Sequence, residues 1–365
     1  MVPGPGICNP AGDNIPSMPT KVLLAEPRGF CAGVEMAIKA LTWMVQVFEP
    51  PVYCYHEIVH NAAVVAAFER AGVRFVDDIA DVPEGKPIML SAHGSAPEVV
   101  AAAEDRAAVM VDAVCPLVTK VHHEVRRMAD RGFDVIYVGH VGHDEAVGAV
   151  AEAPHAVTLV DPADGLRGFS PTNDARVALL AQTTLGVYEW ENVLEEAQER
   201  YPELLTARKS DLCYATTNRQ TAVRRLAELA DVILVVGSET SSNTQALVRV
   251  ARKAGVPAHR IDGPETIDPA WIADAKLVGV TAGASAPDQR VQAVIEAVDP
   301  RDGVELVRIS DEDEYFPLPP QLRRFVQALQ AAVEGAYACR TPHQRGPLER
   351  DRDWGATEAL ELLDV

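Results

Sequence analysis

The stretch with the most chemistry in this chain is VMVDAVCPLVTKVHHE, residues 109–124. It reads as a short apolar strand running into Cys115, followed by Pro116 and a segment with helical spacing. Proline suits a first helical turn because its missing N–H has no partner there in any case. Cys115 therefore stands where a strand ends and a helix begins. In open α/β sheets, ligands collect outside the carboxyl ends of the strands. A helix N-terminus also favours the thiolate, the form of cysteine that binds metal. The plainer reading is a small buried cysteine in a turn.

Two other cysteines share this setting. Cys31 sits in PRGFCAG (27–33), after an expected strand at 21–26 and before a helix with apolar positions Val34, Ala37, Ile38, Leu41, Met44, Val45 and Phe48. Cys213 ends an expected strand at 204–212 in SDLCYA. Three thiolates without a matching fourth leave one coordination place open. Zinc with a histidine or water would fill it, and so would a four-iron cluster with one iron not held by cysteine. The residues alone leave both open. Cys8, Cys54 and Cys339 fall in an arm, a strand and near the tail, and read as bystanders.

A second set of residues lies in polar loops at expected strand ends: His60, His93 and His143, with Ser241, Ser242, Asn243 and Ser285. Histidine, serine and asparagine donors can hold a phosphate or diphosphate without a lysine clamp. The SSN sequence precedes an apolar helix, whose N–H groups would add to an anion site; plain N-capping is the simpler role for either serine. Glu145 follows His143 by two. A carboxyl buried near thiolates and an anion has its pKa raised and can serve as a general acid. Its simpler role is to complement the dipole of a helix N-terminus. Thr183 or Thr184, in AQTTLG, could orient or relay that proton.

The elements that position these residues alternate strand and helix, the signature of parallel sheets with crossover helices. Twelve strand candidates fall into three groups of four. Each group opens with a strand ending in a polar loop, at HEIVHN (56–61), GHVGHDE (139–145) and GSETSSN (237–243). Each third strand ends in a small-residue loop, at SAHGSAP (91–97), AQTTLG (181–186) and TAGASAP (281–287). The first two fourth strands end in cysteine. The third, VELVRIS (304–310), has none, and the loop of Cys31 supplies the missing member. This weak repeat predicts an α/β fold of three small lobes, each with a mostly parallel sheet, in a pseudo-threefold arrangement about one cavity; a single doubly wound sheet is the alternative. The expected organisation is a disordered arm (1–20), lobes at 21–115, 116–213 and 214–310, a C-terminal segment with a helix (311–339) and a flexible tail (340–365).

Bulk composition excludes several classes. With 33 basic residues against 53 acidic, the formal charge is −20, which argues against nucleic acid or an anionic membrane as partner. Six scattered cysteines with no CxxC pair make neither a disulfide scaffold nor a zinc ribbon. No signal peptide, transit peptide or apolar run of spanning length is evident, so the expected location is the cytoplasm.

PRGFCAGVE, HEIVHN, SAHG, VDAVCPLVTKVH, GHVGHDE, AQTTL, SDLCYATTNRQ, VGS with SSN, and GVTAGASAPD, in this order over about residues 21–312, resemble the IspH/LytB family. That family comprises the 4-hydroxy-3-methylbut-2-enyl diphosphate reductases of the non-mevalonate isoprenoid pathway. The resemblance implies three α/β lobes around one [4Fe-4S] cluster held by Cys31, Cys115 and Cys213, and so iron–sulfur rather than zinc. It implies substrate binding by His60, His93, His143, Thr183, Ser241, Ser242, Asn243 and Ser285. Glu145 would deliver protons, helped by His143 and Thr183. No bound nucleotide is implied. Electrons would come from an external one-electron donor of the ferredoxin or flavodoxin type. The chain departs from the family's usual pattern at Asp144, where proline is common, at Ala149 for threonine, and at Ala62. A non-enzymatic iron–sulfur redox sensor and a zinc phosphate-ester hydrolase are the rival readings.

Overall fold

The structure, a computed structural model, describes residues 19–207, 211–337 and 348–363. β1 (Lys21–Glu26) leads through Cys31 into α1 (Ala32–Val47). A first group follows: β2 (Val52–Tyr55), α2 (Ala62–Arg70), β3 (Val73–Val76), β4 (Ile88–Leu90), α3 (Pro97–Arg106) and β5 (Met110–Asp112). Cys115 then caps α4 (Pro116–Asp130). The second group is β6 (Asp134–Val138), α5 (Asp144–Ala151), β7 (Val157–Val160), β8 (Val177–Ala181), α6 (Val187–Arg200) and β9 (Leu205–Thr206). Cys213 caps α7 (Tyr214–Ala227). The third group is β10 (Val232–Val236), α8 (Ser242–Lys253), β11 (Ala258–Ile261), α9 (Pro269–Ile272), β12 (Leu277–Ala282), α10 (Asp288–Val298) and β13 (Val304–Arg308). α11 (Pro320–Tyr337) and α12 (Ala356–Glu361) complete the chain.

Three all-parallel sheets result, with strand orders β3-β2-β4-β5, β7-β6-β8-β9 and β11-β10-β12-β1-β13. The central strands are continuous apolar runs, such as VALLA in β8 and VILVV in β10, buried along their whole length. That composition suits a parallel sheet covered on both faces.

Two expectations differ. β1 does not join the first lobe; it pairs with β12 and β13 in the third sheet, where it occupies the place that β5 and β9 hold in theirs. The N-terminus thus closes the ring of lobes, and α1 carries the chain back to the first, where Ile38, Leu41 and Met44 lie in one core with Cys54, Ile58 and Phe68. Each fully buried side chain of this size contributes about 1.5–3 kcal/mol. Cys54 is accordingly a core residue with no exposed surface.

The second difference concerns the tail. The arm at 1–18 and Cys339 lie outside the described residues, but 348–363 is packed rather than loose. Ala356 and Ala359 of α12 are buried against α1. Beside them Lys39 of α1, itself buried, pairs with Asp351 at 2.9 Å. The Tyr315 hydroxyl donates to the same carboxylate, and the ammonium lies 5.3 Å from the Trp354 ring centre.

Removing one partner of a buried ion pair strands the other charge without compensation. Lys39→Met is therefore expected to lower unfolding stability by about 3 kcal/mol, and Lys39→Met with Asp351→Leu to recover most of it. Urea unfolding midpoints check this; an unchanged midpoint for the single variant would show that the contact contributes nothing.

Candidate active site

Three strand ends meet at the centre in the same way. β1, β5 and β9 each lead to a cysteine that is the N-cap of the next helix, α1, α4 or α7. Each cysteine carbonyl accepts the first helical bond, from Glu35, Thr119 and Thr217 respectively. Each cysteine N–H donates to a strand-end carbonyl of the adjoining loop: Cys31 to Ala284 at 3.1 Å, Cys115 to Ala92 at 3.0 Å and Cys213 to Thr183 at 3.0 Å. The backbone is fixed three times over in one geometry, and the three thiols line one cavity of about 100 Å³.

The same cavity is lined by His60, His93, His143, Glu145, Thr183, Ser241, Ser242, Asn243 and Ser285. The structure therefore brings together every candidate residue read from the sequence. An outer vestibule of about 630 Å³ shares His60, His143 and Ser242 with it and opens past His56, Asp144 and Arg249.

The thiols are free and half-buried. Loss of hydration pushes Cys31 and Cys115 above the ordinary cysteine range and Cys213 up to about 11; the neighbouring thiols add to the shift at Cys115 and Cys213. Gly33 makes room for them: a Cβ there would stand 2.8 Å from the Cys115 sulfur and 4.0 Å from that of Cys31. Among the described residues, one group of three or more His, Cys, Asp or Glu has ligand atoms all within 4.8 Å of one another, and it is His60, His93 and Asp144. The His60–His93–Asp144 group is poorly shaped for an ion, because the imidazoles stack face to face, 3.9 Å apart and 11° from parallel. Lone pairs in two parallel ring planes do not converge on one point.

His93 and His143 are neutral donors. Burial holds His143 down to about 4 and His93 well below the ordinary range, and the neighbouring His60 adds to both. His143 is the N-cap of α5, and its Nδ1 accepts the Glu145 N–H at 3.2 Å. In the neutral ring the proton therefore sits on Nε2. His60 Nε2 and His93 Nδ1 are buried without a hydrogen-bond partner in the protein. Ser241 caps α8, accepting from the Thr244 N–H at 3.2 Å, so the capping role holds at that position. Asn243 accepts the Ala284 N–H at 3.1 Å, and Ser285 donates to the His60 carbonyl at 2.9 Å.

Glu145 is 2% exposed. Its Oε1 accepts the Thr183 N–H at 2.7 Å and its Oε2 lies 3.0 Å from Thr183 Oγ1. Burial raises its pKa from 4.5 to about 7, against these hydrogen bonds. Thr184 bonds Ser242 at 3.1 Å, and Gln182 bonds both. Gln182 was not singled out from sequence; its place in the small-residue loop beside Thr183 was the available signal. His56 was also missed. It pairs with Asp144 at 2.8 Å, joining the opening loops of two lobes, and that carboxylate lies 3.7 Å from His93. Asp144 thus fills the proline position with a cross-lobe contact.

The profile of the LytB protein family matches residues 22–299. A 4-hydroxy-3-methylbut-2-enyl diphosphate reductase of Rhodopirellula baltica is 48% identical over 87% of this chain and 99% of its own length. A solved structure of E-1-hydroxy-2-methyl-but-2-enyl-4-diphosphate reductase from Plasmodium falciparum superposes with a TM-score of 0.82, at 30% identity, covering 86% of this chain and 99% of that one. A second solved reductase, described as the terminal enzyme of the non-mevalonate pathway, gives 0.55 at 27% identity over 77% and 99%.

A raised carboxyl pKa makes stability depend on pH. Protonated Glu145 contributes fully below about pH 4.5, and the contribution is lost as pH rises through about 7. Over that window it amounts to about 3 kcal/mol at 1.36 kcal/mol per pKa unit. The fall in unfolding free energy between pH 5 and 8 is therefore expected to be smaller in Glu145→Gln than in wild type. Equal pH slopes in the two proteins would place the proton elsewhere.

Proposed function

The chain belongs to the LytB protein family, and from that premise we propose that it is a 4-hydroxy-3-methylbut-2-enyl diphosphate reductase. It converts (E)-4-hydroxy-3-methylbut-2-enyl diphosphate to isopentenyl and dimethylallyl diphosphate, the last step of the non-mevalonate isoprenoid pathway. Two electrons and two protons enter, one C–O bond breaks, and the hydroxyl leaves as water. The observation that carries the reading is the meeting, in one cavity, of three thiols, three imidazoles and a buried carboxyl pushed up to about 7.

The donor set fits an iron–sulfur cluster. Iron–sulfur clusters are held by cysteine thiolates, and three of them leave one position for something else. A single tetrahedral zinc would also accept three thiolates; membership of the family favours the iron–sulfur group. When bound, a [4Fe-4S] cluster supplies one-electron transfer and a Lewis-acidic iron not held by cysteine. Its electrons come from an external carrier of the ferredoxin or flavodoxin type, in the cytoplasm, where thiols stay reduced.

The chain's own residues do the rest. His60, His93 and His143 offer ring N–H donors, and Ser241, Ser242, Asn243 and Ser285 add hydroxyl and amide groups around the diphosphate. The N-terminus of α8 gives the anion a favourable dipole without a buried lysine. Glu145 holds a proton near neutral pH; from Oε2 it can pass to Thr183 Oγ1, and from there to the departing hydroxyl. The diphosphate fixes the allylic end in place.

Anaerobic purification with iron and sulfide assays tests the reading first; about four of each per chain are expected. Turnover with a low-potential reductant should follow. Glu145→Gln is expected to keep the cluster and substrate binding yet lose at least about a hundredfold in kcat, the usual scale of general-acid catalysis. Wild-type kcat should fall as pH rises through about 7, where the acid loses its proton. Full activity of the variant would sink the assignment of Glu145, and a colourless zinc protein would sink the reductase reading.

A further inference from the structure

Among the described residues, Arg219 is the largest side chain with no exposed surface. It lies on α7, six residues after Cys213. Its Nη2 donates to the carbonyl of Gly29 at 2.8 Å and reaches that of Phe30 at 3.5 Å. Its Nη1 donates to Ala215 at 3.1 Å and to both carboxylate oxygens of Glu312, at 3.0 and 3.1 Å. Gly29 and Phe30 are the two residues before Cys31. On the other side of Cys31, the Ala32 N–H donates to the hydroxyl of Tyr214, the first residue of α7, at 3.3 Å. Both flanks of Cys31 are therefore held by the helix that Cys213 caps.

A buried ion pair is a poor source of stability, since desolvation offsets the attraction. Carbonyl groups could also have been tied by neutral donors. The choice of a guanidinium points to its charge. Arg219 is completely enclosed, whereas the Glu312 side chain is 14% exposed and so lies toward solvent. The guanidinium is held against the carbonyls of the two residues that precede Cys31. Net charge around a cluster is one of the factors that set its reduction potential. A fixed cation favours the reduced state, which carries one more negative charge.

Building on the cluster reading above, we propose that Arg219 is a positioning residue for the reductase. It locks the Cys31 loop to the Cys213 helix, and its charge, trimmed by Glu312, sets the potential at which the cluster accepts an electron. Neither residue touches the cavity, so neither meets the substrate.

The test is an anaerobic redox titration of the reconstituted protein, followed by absorption and electron paramagnetic resonance, for wild type, R219Q, R219K and E312Q. R219Q is expected to lower the midpoint, so that where half the wild type is reduced the ratio of reduced to oxidised cluster falls about tenfold; this is about 59 mV for one electron. E312Q keeps the cation and removes its counter-charge, so its midpoint should rise. R219K is expected to hold a near wild-type midpoint but release iron faster to a chelator, because a lysine cannot span the same carbonyls. Midpoints of R219Q and E312Q equal to wild type, or moving in the same direction, overturn the proposal. If R219Q does not fold, E312Q decides alone: a raised midpoint supports the charge effect and an unchanged one removes it. A wild-type protein that takes up no cluster would instead defeat the reading on which the proposal rests.

Discussion

The structure depends on one constraint: three cysteine thiols from three separate sheets must reach the same small volume. Each arrives by strand, cysteine and helix, and each cysteine N–H is tied to a carbonyl of the neighbouring loop. A thiol at such a junction feels two opposed effects. The helix N-terminus favours the thiolate, and burial disfavours it more strongly, so all three stand above the ordinary cysteine range. The protein alone thus keeps its thiols protonated. A group that takes the thiolates must displace three protons, and its binding energy becomes folding energy for all three lobes at once.

The inner cavity is lined by neither lysine nor arginine. The chain's formal charge is −20, and the donors that line the cavity are imidazoles, of which burial keeps His93 and His143 neutral, hydroxyls, an amide and a helix N-terminus. Neutral donors cost less to bury than ammonium groups, and they do not neutralise Glu145. A lysine beside that carboxyl would pull its pKa down and remove the proton it carries near neutral pH. Among the carboxylates at the mouth, Asp144 has its own partner in His56, whose pKa that hydrogen bond raises.

Much of this was legible in the sequence, for identifiable reasons. Buried parallel strands leave apolar runs such as β8 and β10, and the loops at their ends keep the residue types of the site, so the threefold pattern and the candidate residues could be read in order. What could not be read depended on contacts distant along the chain. β1 looks like the first strand of the first lobe because sequence order says so; only pairing with β12 and β13, more than 250 residues away, assigns it to the third sheet. The stretch 204–212 reads as a full strand; β9 covers two residues of it, and 208–210 lie outside the described residues. The segment 348–363 is polar and aperiodic, and its order comes from surface that α1 presents. Arg219 sits in a run of polar residues, and nothing local marks it as buried.

These long-range contacts share a logic. α1 bears Cys31 at one end, and its far face carries Lys39 against the C-terminal segment. α7 bears Cys213 and holds the Cys31 loop through Arg219 and Tyr214. Glu312, which balances Arg219, lies on the strand of chain that leads from β13 toward α11. The residues after the third lobe are thus bound to the same two helices that present two of the three thiols. A site assembled from three sheets has no single rigid element of its own, so its precision depends on such cross-ties. The C-terminal extension is best understood as one of them: it restrains α1 from behind while the strand ends fix Cys31 in front.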